Sequence, residues 1–338
     1  MNILVTGGAG YIGSHTIVEL LKENHNVICI DNFYNSKEEV LDIIKQLANK
    51  DFKFYNIDLV NYDDVDRVFS ENNIDAVIHF AGLKAVGESV QKPLFYYRNN
   101  LLSTINVLDA MKKYNVKNIV FSSSACVYGD PEYVPVTEES PVGNVTNPYG
   151  RTKYFIEEIL RDYAVADPEF KGIILRYFNP IGAHESGLLG ENPLGIPNNL
   201  MPFILRAASK EADELKIFGN DYSTPDGTTI RDYIHVVDLA IAHTKAIDKL
   251  KDNFSIETYN LGTGKGTSVQ EIVDSFNRVN GNILKYSYAP RRPGDAEKCY
   301  ADPTKANKEL HWYATKTIDD MCKDSWNYKK NYNDKKAK

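Results

Sequence analysis

Ile3-Leu4-Val5-Thr6 runs directly into Gly7-Gly8-Ala9-Gly10-Tyr11-Ile12-Gly13. Three apolar residues and a threonine read as a short buried strand. The glycines satisfy two spacings at once, Gly7/Gly10/Gly13 and Gly8/Gly10/Gly13, at the point where the apolar spacing changes to that of a helix over Tyr11-Leu21. Glycine clusters also mark ordinary turns. Here a tight strand-to-helix turn, a diphosphate against the backbone and a helix packed closely on its sheet each need a residue without a side chain. Free N–H groups at the helix start then hold the phosphates. Asp31 ends the second apolar run, at the offset of about 20 residues expected of a ribose-binding acid. A carboxylate there accepts from the 2′- and 3′-hydroxyls and repels a 2′-phosphate, which points to NAD rather than NADP.

Outward from this loop, short apolar runs alternate with helical patterns. Strands are predicted at Ile3-Thr6, Val27-Asp31, Phe52-Asn56, Ala76-Phe80, Ile119-Ser123 and Gly172-Tyr177, and a second helix at Tyr149-Tyr163. Such alternation predicts an α/β fold, a Rossmann-type doubly wound parallel sheet. Asp58 and Leu59, after the third strand, fall beside the adenine by this topology, and Phe80, Ala81, Gly82 and Lys84 close the fourth at the cofactor edge. Lys84 is equally compatible with a solvated lysine.

After Asn179 the texture changes. Pro180-Asn199 is rich in glycine and proline and reads as loop, followed by a helix at Met201-Ser209 and a strand at Leu215-Phe218. Val236-Leu250 reads as a helix and Glu257-Leu261 as a strand that could rejoin the first sheet. The expected division is a nucleotide domain of 1–179 plus about 234–262, and a smaller, discontinuous C-terminal substrate domain of about 180–233 plus 263–338. The lysine- and asparagine-rich tail from Tyr328 reads as a frayed, solvated end.

The chain has 338 residues and a net charge of -7, which argues against a broad nucleic-acid or anionic-membrane surface. It opens straight into the first strand without a charged leader, and no apolar run is long enough to span a bilayer. The cysteines (Cys29, Cys126, Cys299, Cys322) are scattered and form no metal-type pair, so a cytoplasmic protein with reduced thiols and no metal is expected.

Tyr149-Gly150-Arg151-Thr152-Lys153 places a tyrosine and a lysine four residues apart on one helix face. Asn147-Pro148 before them fits a helix start, and Ser124 follows the fifth strand at the cofactor edge. Tyrosine ionises near pH 10, so half-ionising it at pH 7 takes about 4 kcal/mol. One cation about 4–6 Å away at an effective dielectric near 20 supplies on the order of 3–4 kcal/mol. Lys153 is therefore expected to provide most of the shift, and the positively charged nicotinamide ring the rest.

The glycine loop, Asp31, Ser124 and the Tyr149/Lys153 pair together resemble the extended short-chain dehydrogenase/reductase family. Within it, Ala81-Val90, Arg176-Pro180, Gly195-Pro202, Arg231-Val236 and Pro290-Asp295 resemble the UDP-galactose 4-epimerases, and the resemblance runs from Ile3 to about Trp326. It implies that Tyr149 is the acid/base, that Lys153 anchors the cofactor and supports the tyrosine's charge, and that Ser124 bonds the reacting hydroxyl. NAD would meet Tyr11, Ile12, Asp31, Asn32, Asn35, Ser36, Asp58, Phe80 to Lys84, Asn99 and Phe178. A UDP-sugar would meet Asn179, Asn199, Leu200, Lys216, Ile217, Phe218, Arg231, Arg292 and Asp295, the two arginines clamping the diphosphate. The implied reaction inverts the sugar at C4 through a transient 4-keto sugar, interconverting UDP-glucose and UDP-galactose, and the resemblance implies a homodimer.

The nearest rival is a sugar-nucleotide 4,6-dehydratase, whose family carries an Asp-Glu pair after the position of Ser124, where this chain has Ala125 and Cys126. A decarboxylase finds no distinctive mark, and a silent NAD-binding regulator would tend to lose the tyrosine or the lysine. Cys299 matches a pocket-wall position that is tyrosine in family members restricted to glucose and galactose. The smaller side chain leaves room for a 2-acetamido group, so the N-acetylated UDP-sugars are expected substrates too. As a buried cysteine it also fits a small hydrophobe.

Overall fold

A computed structural model of the chain describes residues 1–194, 197, 199–292 and 295–336. Gly195, Ile196, Asn198, Pro293 and Gly294, which belong to the stretches quoted above, lie outside the described residues.

The nucleotide half alternates regularly: β1 (Asn2–Thr6), α1 (Tyr11–Lys22), β2 (Asn26–Asp31), α2 (Glu39–Ala48), β3 (Lys53–Asn56), α3 (Tyr62–Glu71), β4 (Ala76–His79), α4 (Val86–Gln91), α5 (Pro93–Lys113), β5 (Asn118–Ser124), α6 (Pro148–Ala166) and β6 (Lys171–Tyr177). There follow β7 (Asn179–Ile181), α7 (Leu200–Ala208), β8 (Leu215–Phe218), β9 (Ile230–Arg231), β10 (Tyr233–His235), α8 (Val236–Lys249) and β11 (Ile256–Leu261). The chain ends with β12 (Thr267–Ser268), α9 (Val269–Asn280), β13 (Tyr286–Ala289), β14 (Lys298–Cys299), α10 (Thr304–Glu309) and α11 (Ile318–Lys336).

Seven strands form one sheet in the order β11-β6-β5-β4-β1-β2-β3, and its pairs are parallel throughout. Side chains alternate across it. Ile3 and Val5 pack on one face with Ile17, Val18 and Leu21 of α1 and Leu239 and Ile247 of α8. Leu4 packs on the other with Val68 of α3, Val107 and Met111 of α5, and Ile156 and Leu160 of α6. Covering both faces explains why these strands read as continuous apolar runs. The order reverses between β1 and β4, so their carboxyl ends open a crevice there, the place where such sheets bind ligands.

A third core joins Ile204 and Leu205 of α7, Ile217 of β8, Ile272 and Phe276 of α9, and Met321 and Cys322 of α11. Pro180–Asn199 differs from the loop reading at its start, since β7 pairs with β10 and Ala183 bridges Gly190. The tail reading is corrected as well. α11 continues through Lys336, and Tyr328 is buried because its ring lies against Gly190, a contact that local composition cannot reveal. Among the described residues no helix is long and apolar enough to cross a membrane.

Candidate active site

One cavity of about 1930 Å³ opens at the carboxyl ends of the sheet. It is lined by every cofactor-side and sugar-side residue proposed from the sequence except Gly8 and Cys299.

The glycine loop fits a dinucleotide. Gly7 has φ +68°, and a Cβ there would stand 2.8 Å from the backbone nitrogen of Ala81. At Gly13 a Cβ would collide with the Gly7 carbonyl, and at Gly8 it would meet the Cys29 and Ile17 side chains. The last contact is helix-on-strand packing, and Gly8 lies outside the cavity wall. Gly10 caps α1 without a side chain to bond the first-turn N–H groups, which leaves an anion cradle. Asp31 is fixed from three sides. It accepts from Ala9 N at 3.0 Å, Phe33 N at 2.8 Å and Ser36 Oγ at 2.9 Å. Burial raises its pKa, and these bonds oppose the rise.

Tyr149 and Lys153 stand one turn apart on α6. That helix starts where the sequence placed it: Asn147 Oδ1 accepts from Gly150 N at 2.9 Å and Pro148 occupies the first turn. Lys153 Nζ donates to the Ser122 carbonyl at 2.6 Å. Burial lowers the Lys153 pKa to about 8. Burial likewise raises Tyr149 well above the usual phenol range, the Cys126 thiol adds to the rise, and a hydrogen bond with Ser124 opposes it. In the protein alone desolvation is the largest influence on Tyr149, and the group opposing it is Ser124.

On the sugar side, Arg231 Nη2 lies 4.0 Å from Asp295 Oδ1, and Arg292 Nε donates to Asp295 Oδ2 at 3.1 Å. Two guanidiniums thus share one carboxylate, which leaves net positive charge at the cavity wall. Arg292 also lies over the Phe218 ring at 4.9 Å. Cys299 is the residue the structure does not bring to the cavity. It pairs in register with Arg231 and packs against the cluster of Ala125, Val127, Phe178 and Ala301.

The chain matches the family model described as GDP-mannose 4,6 dehydratase over residues 4–325. It is 56% identical to a UDP-glucose 4-epimerase of Bacillus subtilis over 97% of this chain and 96% of that protein. The fold superposes with TM-score 0.95 on a UDP-glucose 4-epimerase from Bifidobacterium longum in complex with NAD+ and UDP, at 54% identity and 98% coverage of both chains.

The chain belongs to the UDP-glucose 4-epimerase family.

The UDP-Glc/GlcNAc 4-epimerase of Campylobacter jejuni is a further structural relative, with TM-score 0.85 and 39% identity over 98% of this chain and 99% of that one. Within the broader dehydratase-named model, the epimerase family suits the residues after Ser124: Ala125 and Cys126 form a short 3₁₀ turn with no carboxylate.

Several cavity residues escaped the sequence reading. Glu191 accepts at Oε1 from Lys84 Nζ at 3.2 Å and Asn199 Nδ2 at 3.3 Å, and its buried Oε2 has no protein partner. Lys84 is thereby placed on the cavity wall. Behind the wall, Asn100 bonds both backbone groups of Leu83 and the Thr152 hydroxyl, tying the β4 end to α6. Lys37, Tyr328, Asn331, Tyr332 and Lys335 also line the cavity. None of these carries a sequence motif. They become visible only when distant segments meet.

Proposed function

We propose that the protein interconverts UDP-glucose and UDP-galactose by inverting the configuration at sugar C4. The observation that carries this is the convergence, in one cavity, of Tyr149, Lys153 and Ser124 with the Arg231/Arg292/Asp295 cluster. The glycine loop, the Asp31–Ser36 turn, Asp58 and Lys153 would hold NAD, which when bound supplies the acceptor and then the donor of one hydride at C4. Tyr149 Oη takes the 4-hydroxyl proton and later returns it. Ser124 Oγ orients that hydroxyl, and the Lys153 charge favours the phenolate. Arg231 and Arg292 hold the diphosphate by charge-assisted bonds, so the hexose can turn over while the nucleotide stays anchored. Residues about 180–233 and 263–338 form the UDP-sugar unit in this reading, and 1–179 with about 234–262 the NAD unit.

Cys299 extends the reading to the N-acetylated sugars. Its cluster borders Phe178, which lines the cavity, and a phenol in place of the thiol would press toward that wall. Assay of all four UDP-sugars on wild type and Cys299→Tyr tests both claims. The expected result is four activities in wild type and loss of only the acetylated pair in the variant. Absence of glucose/galactose interconversion overturns the main reading; absence of acetylated activity alone overturns the extension.

The same reading places the protein in the cytoplasm as a homodimer. Leu94, Leu102 and Ile105 recur on one exposed face of α5, and Phe155 is exposed on the neighbouring α6. A second copy covering this stripe fits the family resemblance.

A further inference from the structure

The C-terminal helix does more than close the substrate-side core. Its first half sits in that core, with Met321 and Cys322 buried and the Trp326 ring 6.0 Å from Phe276. Beyond Trp326 it leaves this core and lies along the 184–190 turn. Asn327 Nδ2 donates to the Glu185 carbonyl and Asn331 Nδ2 to the Gly187 carbonyl, both at 3.3 Å. Glycine is needed beneath it, since a Cβ at Gly190 would stand 2.5 Å from the Tyr328 ring. Gly187, at φ +68°, would carry its Cβ into Asn331.

One turn further on, α11 reaches the other half of the molecule. Lys37 Nζ donates to Tyr332 Oη at 2.7 Å and lies 5.0 Å from the centre of the Tyr332 ring. Lys37 directly follows the turn in which Ser36 bonds Asp31. A second tie lands on the same turn, where Leu194 N donates to Asn35 Oδ1 at 3.0 Å. Both ties come from the C-terminal half of the chain, and they flank Ser36. Tyr328, Tyr332 and Lys335 line the cavity together with Asp31 and Lys37.

We propose that Tyr332 and Lys37 form a strap across the ribose end of the dinucleotide cleft, and that this strap sets the rate at which the dinucleotide leaves. The proposal rests on the NAD reading above. An enzyme that regenerates its cofactor in every turnover has no need to release it, and a contact between the two halves at the ribose turn opposes the opening that release requires. Tyr332 offers the lysine its hydroxyl, and its ring lies 6.1 Å from that of Tyr328, which holds the hydroxyl in place.

The experiment uses the full chain loaded with NADH and chased with excess NAD, release being followed by the loss of bound-NADH fluorescence. Y332A and a chain ending at Lys330 are expected to release NADH about tenfold faster than wild type, and Y332F, which loses the hydroxyl but keeps the ring against Tyr328, falls between. K37M combined with Y332A should accelerate release by less than the product of the two single effects, because both remove the Lys37–Tyr332 contact. UDP affinity is the control for general loosening of α11. Release at the wild-type rate in Y332A, additive effects in the double variant, or equal loosening of UDP and NADH overturns the strap. A wild-type chain that binds no NADH overturns the nucleotide reading itself.

Discussion

Lys153 donates to the Ser122 carbonyl at 2.6 Å, joining the helix that carries Tyr149 to the strand end that carries Ser124. The bond holds a buried ammonium whose pKa burial lowers to about 8 from 10.5. Between those two values the unfolded chain binds the extra proton, so stability from this group rises with pH across that window, and the cost of the buried charge is constant below it. Lys153→Met removes the charge together with its cost. It should lower kcat by about a hundredfold or more while leaving urea stability at pH 7 equal to or above that of wild type. The stability difference, variant relative to wild type, should move in favour of wild type between pH 8 and pH 10. A kcat within a few-fold of wild type would remove Lys153 from the proton-handling machinery.

Arg231 and Arg292 converge on Asp295 but differ in exposure, their side chains being 18% and 53% accessible. A charged contact to phosphate is worth more where water is excluded. Arg231→Ala should weaken UDP binding by about 10–100-fold, from about 1.5–3 kcal/mol per charged hydrogen bond. Arg292→Ala should weaken it less. Calorimetric titration with UDP measures both, and equal or reversed losses contradict the ranking.

Arg176 and Glu157 form a buried, forked pair, with Nε–Oε1 3.0 Å and Nη2–Oε2 2.6 Å. Ser123 Oγ also donates to Glu157, and Arg176 Nη1 donates to Tyr128 Oη. Glu157 sits one turn beyond Lys153 on α6, so the pair locks that helix to β6. Breaking one side leaves an unpaired buried charge. Glu157→Leu should destabilise by about 3–5 kcal/mol, read as a shift of the urea midpoint, whereas the double variant Glu157→Leu/Arg176→Met should recover much of the loss. A single variant near wild-type stability contradicts this.

Three of the buried histidines, His15, His79 and His243, make the fold acid-sensitive. Burial lowers His15 and His79 to about 3 and His243 to about 4, against an ordinary value of 6.5. Below 6.5 the unfolded chain takes up protons that the folded chain refuses, so this stability is fully present above 6.5 and is lost as pH falls toward the folded values. His243 bonds the Tyr177 hydroxyl at 2.6 Å. Replacing it with Gln should reduce the proton uptake on unfolding at pH 5 by about one, measured from the slope of stability against pH. An unchanged slope would mean that His243 is charged in the folded protein.

The sheet was legible because its signals are local: the apolar run of Ile3, Leu4 and Val5, the glycine spacing, and Asn147-Pro148 ahead of Tyr149. The sheet-end residues of the site were legible for the same reason, since strand ends in a parallel fold face one crevice. What stayed hidden depends on chain segments far apart in sequence. Tyr328 and Tyr332 sit in a polar stretch and are ordered by Gly187, Gly190 and Lys37. Glu191 acquires meaning only beside Lys84 and Asn199. Two-residue strands such as β9 and β14 are too short for any periodicity, which is why Cys299 could be assigned to a wall by resemblance but not placed by pattern. Burial, the largest influence on Tyr149 in the protein alone, is invisible in a sequence.

The central claim is that C4 is inverted by removing and returning the same hydrogen, with Tyr149 handling only the hydroxyl proton. Converting UDP-galactose to UDP-glucose in D2O with the purified protein tests it directly. The account predicts interconversion with protium retained at C4 of the product, and loss of most of that activity in Tyr149→Phe. Deuterium at C4, or no interconversion by the wild-type chain, would contradict it.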